Sequence, residues 1–192
     1  HIGFKMPANM DTTATLKAAI DKINLSQSKQ RADLMLHTGD VSHTSKPEQF
    51  DTAKQVITGA NVERVFYIPG EHDTSYDGGA SYWEHFGKDT RAGGWYSFDH
   101  KGVHFIAIDN VSDAGASIGD AQLAWLQQDL SRQAKDARIV VLTHRPLFDL
   151  VPQWDWATRD VPRSPDPFTP FANAEGFHRP LHPALPPMTG TL

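Results

Sequence analysis

Three short stretches of this chain hold carboxylates and imidazoles at a spacing that suits metal binding. They read TGDVSH at residues 38–43, PGEHD at residues 69–73 and LTHRP at residues 142–146. Each follows an apolar run, found at residues 34–36, 65–68 and 139–142. Ligands of open α/β sheets bind just beyond the carboxyl ends of the strands. Asp, Glu and His that arrive there from three strands predict a metal site.

The side chains of the first two stretches differ in what they can do chemically. Asp40 follows a glycine in a polar turn, where a carboxylate can face a cavity rather than the core. Glu71, His72 and Asp73 are consecutive, so they cannot all point the same way. We therefore expect a division of labour among these three: a metal ligand, a proton donor or charge stabiliser, and an orienting partner.

The third stretch adds an imidazole and a guanidinium. His144 directly follows a buried strand, and the neighbouring Arg145 carries a group suited to oxyanions such as phosphate. Oxygen ligands mixed with imidazoles suit Mn, Fe or Zn better than copper or calcium. Two such ions that share a bridging carboxylate clamp the attacking and leaving oxygens of an in-line displacement.

Strands alternate with helices along the first 160 residues. Apolar periodicity predicts helices near residues 12–23, 47–57, 82–86 and 120–133, and strands at 34–36, 65–68, 95–98, 103–108 and 139–142. A polar turn at residues 99–102 joins the third and fourth strands as an antiparallel hairpin. This order argues for a layered α/β fold that carries the polar turns at strand ends.

Composition excludes several classes of function. The 192 residues fit one domain, and the formal net charge of −5 gives no reason to expect nucleic-acid binding by bulk charge. The sequence contains no cysteine, which excludes thiolate catalysis and cysteine-based zinc sites within it. No apolar run reaches the roughly 18 residues of a membrane span.

The three stretches resemble the middle three of five ordered motifs in the calcineurin-like metallophosphoesterases. That family's order is Asp-x-His, Gly-Asp, Gly-Asn-His-Asp/Glu, His and Gly-His-x-His. Gly39-Asp40 resembles the second motif, residues 70–73 the third and His144 the fourth, and residues 119–126 are similar to the helix before the fourth-motif strand. The resemblance covers residues 1–160. It implies an α/β sandwich of two mixed β-sheets flanked by helices, incomplete at both ends.

The resemblance also implies a ligand set. Asp40 would bridge two metal ions, and His144 would bind the second of them. Glu71 stands where the family usually has Asn, and as a carboxylate it would also bind the second ion. His1 resembles the histidine of the Asp-x-His motif and would bind the first ion.

Four further residues are implied to act on the substrate or on the residues around it. His72 matches the family histidine that stabilises the phosphoryl transition state or protonates the leaving group. Asp73 would hold the His72 imidazole in the right tautomer. Arg145 would bind the phosphate, and His43 would contact the substrate, with a turn or core role as its alternative.

The function implied is metal-dependent hydrolysis of phosphomonoesters or phosphodiesters, cyclic nucleotides among them, through a dinuclear metal-bound hydroxide. The cofactors would be two divalent or trivalent metal ions, Mn or Fe first and Zn as an alternative, and the partner a small-molecule phosphoester. One alternative is a catalytically disabled fragment, or a non-enzymatic metal- or phosphate-binding module of the same fold. Another is a different metallohydrolase, such as an amidohydrolase, which Arg145 beside a ligand disfavours.

Both ends of the sequence depart from the family pattern. His1 lacks the Asp of its motif, which predicts a chain cut two residues after that ligand. Residues 161–192 form a proline-rich tail without the Gly-His-x-His motif. We hypothesise that this tail is out of frame and non-native, because codons for residues 177–181, read one nucleotide later, permit Phe-Ile-Gly-His. An uninterrupted reading frame in the parent gene would refute this.

Overall fold

The computed structural model describes residues 1–26, 32–89, 94–113, 115–147 and 155–160. The proline-rich tail predicted over residues 161–192 lies outside the described residues. The helices are α1 (Thr12–Ser26), α2 (Pro47–Ile57), α3 (Glu71–Thr74), α4 (Ala80–Phe86) and α5 (Asp120–Leu130), with a 3-10 turn at Gly87–Asp89. The strands are β1 (Leu34–His37), β2 (Arg64–Tyr67), β3 (Tyr96–His100), β4 (Val103–Ala107) and β5 (Arg138–Leu142).

The described strands form two sheets, as the predicted α/β sandwich requires. Strands β1 and β2 pair in parallel, with Leu34 opposite Arg64. In the second sheet β4 is central, antiparallel to β3 and parallel to β5. The predicted hairpin between β3 and β4 is confirmed. Of the two sheets described, the larger is mixed, whereas the smaller is parallel rather than mixed.

Aromatic side chains join the two sheets. The rings of Phe66 on β2 and Phe98 on β3 stack with centroids 3.5 Å apart. The hydroxyl of Tyr96 accepts a hydrogen bond from the backbone N–H of Tyr67 at 3.0 Å and donates one to its carbonyl at 2.8 Å. The relative position of the sheets is therefore held by directional contacts as well as by apolar burial.

The helices pack through the apolar stripes that the sequence predicts. Helix α2 begins at Pro47, where the missing N–H of proline costs no helical hydrogen bond, and it buries Phe50, Ala53 and Ile57. Val56, an apolar residue next to this stripe, is only half-buried. Among the described residues, no helix is both long and apolar enough to cross a bilayer.

The amino-terminal segment joins the end of β1 through a short parallel bridge. The N–H of Ile2 donates to the carbonyl of Val41, and the N–H of His43 donates to the carbonyl of Ile2, each at 2.9 Å. Because the carboxyl ends of β1 and β2 lie side by side, this bridge brings the first residues of the chain to the same edge of the sheet.

Candidate metal centre

The turn after β1 adopts a backbone conformation that few residues tolerate. Gly39 has a φ of +100° and Asp40 a φ of +57°, the left-handed region in which Asp is among the better tolerated residues. A Cβ on Gly39 would lie 2.5 Å from His144 Nδ1 and 2.7 Å from the N–H nitrogen of Gly70. Glycine is therefore needed here for close approach as well as for φ, and the turn directs Asp40 into the space between β1, β2 and β5.

The turn after β2 is a single helical turn, α3, which begins at Glu71. The backbone N–H of His72 donates to Asp40 Oδ1 at 3.2 Å, which ties α3 to the turn after β1. A Cβ on Gly70 would overlap both the backbone nitrogen and the Oδ1 atom of Asp40. The two turns are thus packed backbone against backbone, which sets the distance between Asp40 and Glu71.

Asp73 is fully buried and serves the backbone of both turns. Its carboxylate accepts hydrogen bonds from the N–H groups of Val41 (3.0 Å), Ser42 (2.8 Å) and Gly70 (3.0 Å), and from the Ser42 hydroxyl (3.0 Å). Burial raises the pKa of Asp73, and these hydrogen bonds oppose that shift. Asp73 therefore organises the turns that carry the candidate ligands.

The prediction that Asp73 orients the His72 imidazole is wrong. The Nδ1 atom of His72 instead lies 2.9 Å from the carbonyl oxygen of His43. Successive side chains on a helical turn diverge by about 100°, so Asp73 points into the core while His72 points outward. Since a carbonyl can only accept, Nδ1 of His72 carries the proton and Nε2 faces the site.

The same reasoning assigns the tautomer of His144. Its Nδ1 atom lies 2.6 Å from the carbonyl oxygen of Thr38, so Nδ1–H donates, and in the neutral ring Nε2 holds a lone pair. That Nε2 lies 2.9 Å from Glu71 Oε2 and 3.6 Å from Asp40 Oδ1. His144, Glu71 and Asp40 therefore direct electron-rich atoms at one small volume.

This arrangement fits a cation. Nε2 of His144 and Oε2 of Glu71 are both buried, and neither has a hydrogen-bond partner within the described part of the chain. A nitrogen lone pair and a carboxylate oxygen that face each other without a shared proton repel. A metal ion between them turns that repulsion into two ligand bonds, so the donor set fits Mn, Fe or Zn.

The two oxygens of Asp40 face different imidazoles. Oδ2 lies 2.9 Å from Nε2 of His1, whereas Oδ1 is the atom near His144. The structure thus brings together all four predicted ligands, His1, Asp40, Glu71 and His144. Asp40 stands between the two imidazoles.

Arg145 and His43 border the same volume. The Nε atom of Arg145 is buried without a hydrogen-bond partner among the described residues, and its guanidinium carbon lies 5.7 Å from the centre of the Trp156 ring. The ring of His43 stacks on that of His72 at 4.9 Å. Burial and the neighbouring His72 lower the pKa of His43, which favours the neutral ring.

Asn110 is a positioning residue that the sequence reasoning missed. Its Oδ1 accepts from the N–H groups of His144 (3.3 Å) and Arg145 (3.2 Å), and its Nδ2 donates to the Arg145 carbonyl (2.8 Å) and the Thr158 hydroxyl (2.8 Å). It is fully buried. Asn110 follows a predicted strand, as the other polar turns do, and this position is the sequence signal that could have identified it.

The chain is similar to known proteins in sequence and in fold. The family model described as calcineurin-like phosphoesterase matches residues 6–175. The glycerophosphodiester phosphodiesterase GpdQ of Enterobacter lignolyticus (strain SCF1) is 30% identical over 129 residues, which are 62% of this chain and 44% of that protein.

A solved structure agrees in fold. The purple acid phosphatase PPD1 from seeds of yellow lupin (Lupinus luteus) superposes with a TM-score of 0.58 at 19% identity, over 70% of this chain and 26% of that one. The chain thus spans less than half the length of either relative.

Proposed function

Because this chain belongs to the calcineurin-like phosphoesterase family, we propose that it hydrolyses phosphate esters with the help of bound metal ions. The observation that carries the proposal is the buried approach of His144 Nε2 to Glu71 Oε2, with Asp40 Oδ1 beside them. A neutral imidazole and two carboxylates at these distances repel one another, whereas all three attract a cation.

Two ions would be held by the four predicted ligands. His144 and Glu71 would hold one ion and His1 the other, and Asp40 would contribute to both, since its Oδ2 lies near His1 and its Oδ1 near His144. Manganese or iron fits this mixture of oxygen and nitrogen, with zinc as an alternative. When bound, such ions polarise the phosphoryl group and lower the pKa of a water molecule that attacks phosphorus.

His72 is positioned to protonate the leaving group. Its Nδ1–H is held by the His43 carbonyl, so a second proton on Nε2 makes an imidazolium that points into the site. That cation stabilises charge on the phosphoryl oxygens and delivers its Nε2 proton to the leaving oxygen. The guanidinium of Arg145, on the turn after β5, binds the negatively charged phosphoryl oxygens.

A phosphodiester is the preferred substrate, with phosphomonoesters as the alternative. The name of the relative GpdQ describes an enzyme that acts on glycerophosphodiesters. In this chain the side chains of Arg145 and Trp156 lie together beside His144. A cation and an aromatic face at the edge of the site suit a phosphate that carries a second organic group, cyclic nucleotides included.

The test is hydrolysis by metal-free and metal-loaded protein. After chelation, Mn²⁺, Fe²⁺ or Zn²⁺ is added back, and the release of nitrophenol is measured from bis(p-nitrophenyl) phosphate and from p-nitrophenyl phosphate. We expect turnover that needs metal, is faster on the diester, and is lost in Asp40→Asn and His144→Ala. Asp21→Asn, an exposed carboxylate on α1, is the matched control and should keep full activity.

The non-enzymatic alternative predicts a different result for the same metal-free and metal-loaded samples. Stoichiometric metal binding without turnover of either ester would indicate a metal- or phosphate-binding module. Turnover that survives both chelation and His144→Ala would refute metal-dependent hydrolysis at this site.

A further inference from the structure

Three imidazoles meet beside Asp40, and only one of them, His1, belongs to the four predicted metal ligands. His1, His43 and His72 each offer a ring nitrogen, and these three atoms lie within 4.8 Å of one another. The ring centroids are 4.4 Å apart for His1 and His72, 4.9 Å for His43 and His72, and 5.7 Å for His1 and His43.

Each of the three rings has a nitrogen available to a ligand. Nδ1 of His72 is committed to the His43 carbonyl, which leaves its Nε2. Nδ1 of His43 is buried and has no hydrogen-bond partner in the described part of the chain. Nε2 of His1 faces Asp40 Oδ2 across 2.9 Å. A buried imidazole nitrogen without a partner is costly unless something binds it.

The backbone around the cluster is held in place. The N–H groups of His43 and Thr44 both donate to Gln49 Oε1, at 3.0 and 2.9 Å, and the His43 N–H also donates to the Ile2 carbonyl at 2.9 Å. A Cβ on Gly3 would overlap the Gln49 side chain, so the segment that carries His1 packs directly on Gln49. A set of donors fixed before an ion arrives loses little entropy on binding it.

We infer that His1, His43 and His72 form a nitrogen-only site for one transition-metal ion of the Zn²⁺ or Cu²⁺ type. This site uses none of Asp40, Glu71 and His144, but it shares His1 with the first-ion position of the proposed function. Imidazole ligands suit zinc, copper and nickel, whereas carboxylate oxygens suit manganese. The two neighbouring sets therefore select different ions.

An ion in the three-histidine site inhibits hydrolysis. It occupies the Nε2 lone pair of His72, so that nitrogen can no longer take up the proton that the leaving group needs. It also competes for His1 with the first ion of the proposed function. This consequence rests on the proposed function, whereas metal binding by the three histidines does not.

The binding test uses Cu²⁺ as the spectroscopic probe on protein loaded with one equivalent of Mn²⁺, which fills the set of Asp40, Glu71 and His144 and leaves His1 available. Pulsed electron paramagnetic resonance counts the imidazoles bound to copper. We expect three in the wild type, two in His43→Gln and three in His85→Gln, a histidine on α4 that contacts Asp51 and Ser81 instead. Calorimetry with Zn²⁺ should show a loss of more than about tenfold in affinity for His43→Gln, the loss seen even for residues behind a metal ligand.

An unchanged copper spectrum and an unchanged Zn²⁺ affinity in His43→Gln would overturn the inference. If that variant does not fold, as judged by circular dichroism, His1→Gln at the start of the chain replaces it, with the same expected loss of one imidazole.

The inhibition arm separates this inference from the proposed function. Added Zn²⁺ should inhibit the Mn²⁺-loaded wild type and His85→Gln at the same concentration, and His43→Gln only at a concentration more than about tenfold higher. Three imidazoles on copper without any ester hydrolysis would refute the proposed function alone. Hydrolysis that Zn²⁺ inhibits equally in all three proteins would refute the inhibitory role alone.

Discussion

Nε2 of His144 lies 2.9 Å from Oε2 of Glu71, although the proton of the neutral His144 ring is on the opposite nitrogen, donated to the Thr38 carbonyl. The two atoms belong to turns that are more than 70 residues apart in the chain. Their approach is unfavourable in the absence of a cation. The fold therefore holds two electron-rich atoms where a cation can bind between them.

Glu71→Gln tests this relationship directly. The amide keeps the size of the side chain but removes its charge, and its NH₂ group can donate to His144 Nε2 in place of an ion. We expect Mn²⁺ affinity, measured by calorimetry, to fall by about 10- to 100-fold. Glu48→Gln, an exposed carboxylate on α2, is the control. Equal Mn²⁺ affinity in both variants would mean that Glu71 is not a ligand.

Gly70→Ala should separate the two turns. The new Cβ overlaps the backbone and carboxylate of Asp40, which cannot move aside easily. We expect the free energy of unfolding to fall by about 1–3 kcal/mol and metal affinity to fall with it. Gly78→Ala has open space but a φ of +66°, so it should cost about 1–2 kcal/mol from backbone strain and leave metal binding unchanged. Denaturation and calorimetry on both variants check this; loss of metal in both would argue against a local steric effect.

Asn110→Ala should weaken metal binding from outside the ligand set. It leaves the N–H groups of His144 and Arg145 and the Arg145 carbonyl without their buried partner. The expected cost is about 1–3 kcal/mol of unfolding free energy, together with a drop in Mn²⁺ affinity. Asn110→Asp keeps the two accepted bonds and should be intermediate. Asn61→Ala, an exposed asparagine, should change neither quantity. A stability loss with unchanged metal affinity would reduce Asn110 to a purely structural role.

His104 makes stability depend on pH. Burial favours its neutral form, but hydrogen bonds to Asp129 (Nε2, 2.7 Å) and Asp99 (Nδ1, 2.8 Å) outweigh burial and raise the pKa of His104. A raised pKa means that the folded chain holds the proton more tightly than the unfolded chain. The stabilisation is therefore complete below pH 6.5, the unfolded value, and is lost as pH rises through the folded pKa.

The measurement is the melting temperature as a function of pH, on protein freed of metal so that pH-dependent metal binding does not contribute. His104→Gln should lie below the wild type at acid pH, and the gap should narrow as pH rises from 6.5. The control His100→Gln, on the neighbouring strand, should keep the pH profile of the wild type. A gap that stays constant with pH would show that folding does not raise the pKa of His104.

The local spacing of apolar residues was enough to predict the helices and strands that pack against the core. The stripe of Phe50, Ala53 and Ile57 and the proline at the start of α2 predicted that helix where the structure has it. Helix α3 was missed, because four polar residues carry no period and the turn depends on contacts with the turn after β1. A short element whose hydrogen bonds lead elsewhere in the chain leaves no local signal.

Residue type and order along the chain determined, without coordinates, which side chains could do the chemistry. These are Asp40, Glu71, His72 and His144 at strand ends, Arg145 beside His144, and His1 from the resemblance. Only the tertiary structure decided what each one faces. In the structure Asp73 faces away from His72, and two backbone carbonyls fix the tautomers of His72 and His144. Asn110 and His43 also lie at the site. The reason is physical: hydrogen bonds are directional and here join residues up to 106 positions apart, and no local pattern encodes such directions.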